Sequence, residues 1–216
     1  MNWKEALNTK RGRWALVFIA ITFLAMLLLM PVYYRDVIAP KKGILMNDIF
    51  LNLFTPRNWS LPIFLILYVA VIHSLAFNFK KPTVVLTAVC IYCGVNILRT
   101  ATMFILTLEP PVGMILLQDP ISSALYPESS FAKDLFFSGH VSTIMVVVLI
   151  EKNILAKTLK ILGTIIIGVL LAWQHVHYTL DLLVAPIATY IVFLIVQKYF
   201  EISATNGNLA KNTKPN

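Results

Sequence analysis

The chain has 216 residues, 58% of them hydrophobic and only 13% charged, with a mean hydropathy of +0.78. Soluble domains carry about 25% charged residues, so this composition excludes a soluble globular fold and leaves no length for a large extra domain beside several membrane spans. The net charge of +8 does not signify a nucleic-acid partner, because most Lys and Arg lie in short segments flanking apolar runs, where they set membrane topology.

The first 36 residues place basic side chains ahead of a long apolar run that ends "LLLMPVYYRD". A cleaved signal has an apolar core of about 7–15 residues and a small-residue cleavage site. This run is longer and lacks that site, so it is expected to be a retained first span. Six apolar runs approach the ~20 residues a crossing helix needs. They are Trp14–Tyr33, Leu61–Phe77, Thr83–Leu108, Ser138–Ile154, Leu159–Trp173 and Tyr178–Phe200. The runs are continuous rather than alternating, which predicts helices and not a barrel. The expected fold is all-α and polytopic, with one membrane catalytic domain over 1–202 and a disordered cytoplasmic tail over 203–216.

With six spans both termini share a side. That side holds twelve Lys and Arg in its flanks against five on the other, with Arg99 inside a span. The positive-inside rule then predicts cytoplasmic termini. Cys90 and Cys93 lie inside one apolar run and are read as packing residues. They are the only cysteines, so a metal or redox motif has no second half.

On this topology two polar stretches open spans from the outer face. Ser138-Gly139-His140 begins the fourth, and "HVHYTLD", with His175, His177 and Asp181, begins the sixth. "SGH" alone is an ordinary helix cap, and H-x-x-x-D alone can be a polar pair at a span end. Together at one depth they form a candidate site. His177 and Asp181 are four apart and share a helical face. The carboxylate would fix the imidazole tautomer and stabilise positive charge on the ring. Ser138 and Gly139 put small residues at a helix N-terminus, a favourable phosphate position, where His140 could protonate a leaving oxygen. Arg99 is the charge deep in the third span and needs a partner: a phosphate, Asp181 or Asp134. His175 is either a partner of the site or a lip residue. His73, in the inner half of the second span, is read as structural.

The pairing of Ser138-Gly139-His140 with His177-Tyr178-Thr179-Leu180-Asp181 resembles the type 2 phosphatidic acid phosphatase superfamily, and more closely its sphingomyelin synthase branch. Asp134, four residues before Ser138, matches the branch's D-x-x-x-S-G-H pattern, and "LRTATMFILTLEPPVGM" resembles its arginine-led third span and proline-containing outer loop. The phosphatase branch's K-x-x-x-x-x-x-R-P and S-R motifs are absent; "GVLLAWQHV" stands before His177. Val141 stands where the synthases carry threonine.

The resemblance covers about residues 99–185. It implies a six-helix membrane core, catalytic His140, His177 and Asp181, and substrate or phosphate contacts from Arg99, Asp134, Ser138, Gly139, His175 and Tyr178. It also implies transfer of a phosphoalcohol headgroup from a phospholipid to ceramide or a diacylglycerol-like alcohol, without metal or other cofactor. The site would face the periplasm, the exterior or an organelle lumen. Two alternatives stand beside this expectation: a lipid phosphatase using the same histidines, and a non-catalytic lipid transporter or scaffold.

Overall fold

A computed structural model of the chain describes residues 2–119, 133 and 135–212. Among these residues the fold is all-helical; the sole bridge pairing joins Ile44 to Leu108. The elements are α1 (Trp3–Asn8), α2 (Lys10–Val32), α3 (Ser60–Asn78), α4 (Pro82–Ile105), α5 (Gly139–Ile150), α6 (Ile154–Trp173) and α7 (Thr179–Asn212). Five helical segments are long and apolar enough to cross a membrane: Lys10–Ile38, Ser60–Asn78, Pro82–Ile105, Ile154–Trp173 and Thr179–Phe200. α7 also takes in the first ten residues of the stretch set apart as a tail.

Local signals explain the boundaries. Asn2 and Glu5 form a capping box at α1, and Thr9 caps α2 by accepting the Gly12 N–H at 2.9 Å. Pro31 supplies no N–H near the end of α2, and a π-helical turn at Tyr33–Ile38 follows it. Pro82 opens α4, where a missing N–H costs nothing.

α5 differs most from expectation. It has twelve residues, about 18 Å at 1.5 Å per residue, against a hydrocarbon thickness of about 30 Å. Its run stops because Glu151 turns the chain: Oε1 accepts the N–H groups of Lys152 and Asn153, each at 2.9 Å. Asn153 then caps α6 through the Ala156 N–H at 3.0 Å, so α6 starts at Ile154 rather than Leu159. Burial would raise the Glu151 carboxyl, but Lys160 and these N–H groups outweigh it and hold it low.

Short as it is, α5 is the central helix and packs on α3, α4, α6 and α7. Val141, Ile144 and Val148 meet Ile63, Ile91 and Ile167 in the main core. α2 packs on α4 at the periphery, with most of its apolar surface exposed. Cys90 and Cys93 are buried free thiols, and His73 stacks on Phe77 at 4.5 Å.

One end of the bundle gathers the C-terminal ends of α4 and α6 and the N-terminal ends of α3, α5 and α7. Gln174, fully buried after α6, binds it together. Its side chain accepts the Trp59 N–H at 2.7 Å and donates to Ser60 Oγ, Ile115 O and Leu116 O at 3.1–3.3 Å. The segments 39–59 and 106–119 cover this end. They meet where Gly43 backs onto Leu108 and Glu109 so closely that a Cβ would lie 2.8 Å from backbone atoms.

Candidate active site

α5 starts with a capped turn. Ser138 is fully buried; its Oγ accepts the Val141 N–H at 3.5 Å, and its own N–H donates to Asp181 O at 3.3 Å. That last bond ties the start of α5 to the first turn of α7. Ser142 and Thr143 hydroxyls donate back to the carbonyls of Ser138 and Gly139, each at 2.8 Å.

Arg99 reaches this turn from α4. Its Nε donates to Phe137 O at 2.7 Å, and its guanidinium lies against Gly139, where a Cβ would stand 2.7 Å from Nη1. Only glycine lets the cation approach the positive end of α5, and two positive features at one point make a strong anion position. Arg99 sits six residues before the end of α4, so this point lies about 9 Å below that end.

The imidazoles come together here. The His140 and His177 ring centroids are 6.4 Å apart with an interplanar angle of 63°, and Phe64 packs edge-on to His140 at 5.5 Å. His177 Nδ1 lies 3.5 Å from Asp181 Oδ2, which also accepts the Tyr178 N–H at 3.1 Å. Both side chains of the pair are almost completely buried. Asp181 Oδ1 has no hydrogen-bond partner among the described residues.

Beside His140 is a cavity of about 240 Å³ bounded by Arg99, Gly139, Tyr68, Tyr92, Asn96 and Asp119, among others. Tyr68 and Asp119 are additions that the sequence reading did not make. The Tyr68 hydroxyl donates to Asp119 Oδ1 at 2.5 Å. The cavity therefore has a guanidinium and a carboxylate in its walls. No sequence spacing announces this pair, because the two residues come from α3 and a covering loop.

His175 and Tyr178 turn elsewhere. His175, at φ 57°, sets Nδ1 2.8 Å from Val112 O and Nε2 3.1 Å from both Leu51 O and Phe54 O. The Tyr178 hydroxyl donates to Glu109 O at 2.9 Å and accepts the Met46 N–H at 3.3 Å. These side chains tie down the covering segments. Asp134 lies outside the described residues.

Asp48 is another residue missed in the sequence. Its carboxylate accepts the Thr179 N–H at 2.6 Å and the Thr179 hydroxyl at 3.1 Å, capping α7 beside His177. Burial would raise its carboxyl, but the bonds from Thr179, Leu51 and Phe50 outweigh that and hold it below the usual value. Glu109 is likewise held low, first by Lys133 at 2.9 Å and then by the Gly43 N–H at 2.8 Å.

Residues 133–199 match the family model described as PAP2 superfamily C-terminal. Over this stretch the chain is similar to the PAP2 superfamily. The matched PAP2 stretch contains Ser138, Gly139, His140, His177 and Asp181, while Arg99 and Asp119 lie outside it. PAP2 proteins are lipid phosphatases or phosphotransferases, a kind of activity consistent with an enzyme acting in a membrane. No curated protein matches the chain.

Proposed function

We propose that the protein is a lipid phospho-headgroup transferase of the sphingomyelin synthase type. The observation that carries this reading is the pair of imidazoles 6.4 Å apart, one backed by a buried carboxylate, beside an arginine seated on a helix N-terminus. His177, oriented by Asp181, attacks the phosphorus of a phospholipid headgroup and forms an N–P bond. The bond from phosphorus to the diacylglycerol oxygen breaks, and His140 gives that oxygen its proton. A lipid alcohol such as ceramide then loses its proton to His140 and displaces His177 from phosphorus. Arg99 and the α5 N-terminus hold the phosphoryl oxygens as charge develops.

The Asp119 carboxylate favours transfer over phosphatase action on a bare phosphate monoester. A dianionic substrate would be repelled by it, whereas a phosphodiester carrying an amine places opposite charges near Arg99 and Asp119. Asp134 is proposed as an additional substrate contact on the strength of the family resemblance alone.

The proposed topology keeps six crossings and cytoplasmic termini, with the site facing outside or into a lumen. α5 spans about 18 Å and starts about 9 Å below the end of α4; together these give about 27 Å, close to the ~30 Å hydrocarbon thickness.

The test is an assay of purified protein in mixed micelles with labelled phospholipid and ceramide or diacylglycerol. Appearance of a new headgroup-bearing lipid supports transfer. Release of free phosphate or free phosphoalcohol alone establishes hydrolysis instead. Unchanged function in a folded His177→Ala variant would leave only a transporter or scaffold role.

A further inference from the structure

The cavity beside His140 has a neighbouring space. A second cavity of about 380 Å³ lies among α2, α3, α4 and α5. Leu67, Tyr68, Tyr92 and Thr143 line both spaces, so the two adjoin and share these side chains. Beyond those shared residues the walls are apolar, with Val71, Val89, Val146 and Val147 prominent. Ser74 and Asn78 stand at the deep end. Ser74 is 2% exposed and its Oγ has no hydrogen-bond partner among the described residues.

We propose that this chamber holds one hydrocarbon chain of the lipid whose headgroup is processed beside His140, and that its deep end limits chain length. The inference rests on the lipid-headgroup reading of the site. An apolar space that opens toward the lipid side fills with hydrocarbon rather than staying empty. Water is a poor occupant because the walls offer few polar partners. Tyr68 to Asn78 is ten helical residues, about 15 Å, or half of the ~30 Å hydrocarbon thickness. That is the depth one chain of a single leaflet spans. Phe23 of α2 and Leu75 of α3 line the chamber while each remains about half exposed, at 47% and 48%. The chamber thus borders the lipid side between α2 and α3, and Phe23 stacks on Tyr92 at 6.2 Å across it. A chain can enter sideways while its headgroup stays at the polar end.

Ala88 lines the chamber away from the catalytic groups, so Ala88→Phe narrows the chain path alone. Donors with one headgroup and either long or short chains are compared in mixed micelles. The expected result is a loss in kcat/KM of about tenfold or more for the long-chain donor with the short-chain donor little changed. Equal loss on both donors, or loss on neither, overturns the proposal. A second measurement needs no turnover and guards against a misfolded variant. The His177→Ala protein is irradiated with a phospholipid carrying a photoreactive group at its chain end. Adducts on the Ser74–Asn78 turn or on Val85–Val89 support the chamber; adducts confined to the outward faces of the helices contradict it. If the wild-type protein turns over no lipid phosphate yet these adducts form, the catalytic reading fails and the chamber stands.

Discussion

Gly139 and Arg99 are packed so closely that the glycine hydrogen occupies the space a Cβ would need 2.7 Å from the guanidinium. The residue type at 139 is therefore set by a side chain 40 positions earlier, not by the φ of a turn. Gly139→Ala should fold, because the guanidinium is the movable partner. It should shift Arg99 off the α5 N-terminus and lower kcat by about 100-fold, the scale of an ångström-level misplacement. Headgroup-transfer kinetics beside a thermal melt in detergent check this; a fully active variant would contradict the assigned place of Arg99.

Asp181→Asn tests the support of His177. The amide is similar in size but carries no charge to stabilise an imidazolium. Turnover should fall by about 10³–10⁴-fold with little change in thermal stability. Steady-state kinetics with a folding control read both quantities.

Asp48 gives a pH dependence with a definite sign. Its folded carboxyl is held below the ordinary value of 3.8, chiefly because the bonds from Thr179 overcome the burial cost. A depressed carboxyl contributes stability that is fully present above its unfolded value and is lost as pH falls through the folded one. Asp48→Ala should be less stable than wild type by about 1 kcal/mol near neutrality, as for other lost helix caps. The difference should shrink as pH falls below 3.8 and through the lower folded value, where the native carboxyl gains its proton. Melting curves of both proteins across acid pH provide the comparison.

Gln174→Leu removes the side chain that joins Trp59, Ser60, Ile115 and Leu116. Buried backbone groups left without partners cost about 1–3 kcal/mol each. The variant should melt earlier and lose protection from hydrogen exchange in residues 112–118 before the helical core does. Protection unchanged in that segment would show that it is held by other contacts.

The long apolar runs at Leu61–Phe77 and Thr83–Leu108 are legible because crossing helices leave their length in composition. The break between α5 and α6 is not, since Glu151 and Asn153 act through local capping geometry that hydropathy averages away. The meeting of His140 with His177 is legible because each lies in a polar stretch opening a span, and alternating topology puts both at one end. Arg99 is legible as the charge deep in the third apolar run. Asp48, Asp119 and Gln174 are not, because their partners lie 131, 51 and 114 positions away. Their residue types are ordinary for loops, and only the fold gives them a role. The same distance obscures the use of His175, whose ring nitrogens meet carbonyls from two covering segments.

The proposed reaction turns on a bond between His177 and phosphorus. Purified protein mixed with phosphorus-labelled donor in the absence of acceptor, then quenched within milliseconds to seconds, tests it most directly by peptide mass spectrometry. The expected result is a label on His177 that survives base, is lost in acid, and disappears when lipid alcohol is added before the quench. Label on His140 instead, or turnover with no labelled histidine at any time, would contradict it.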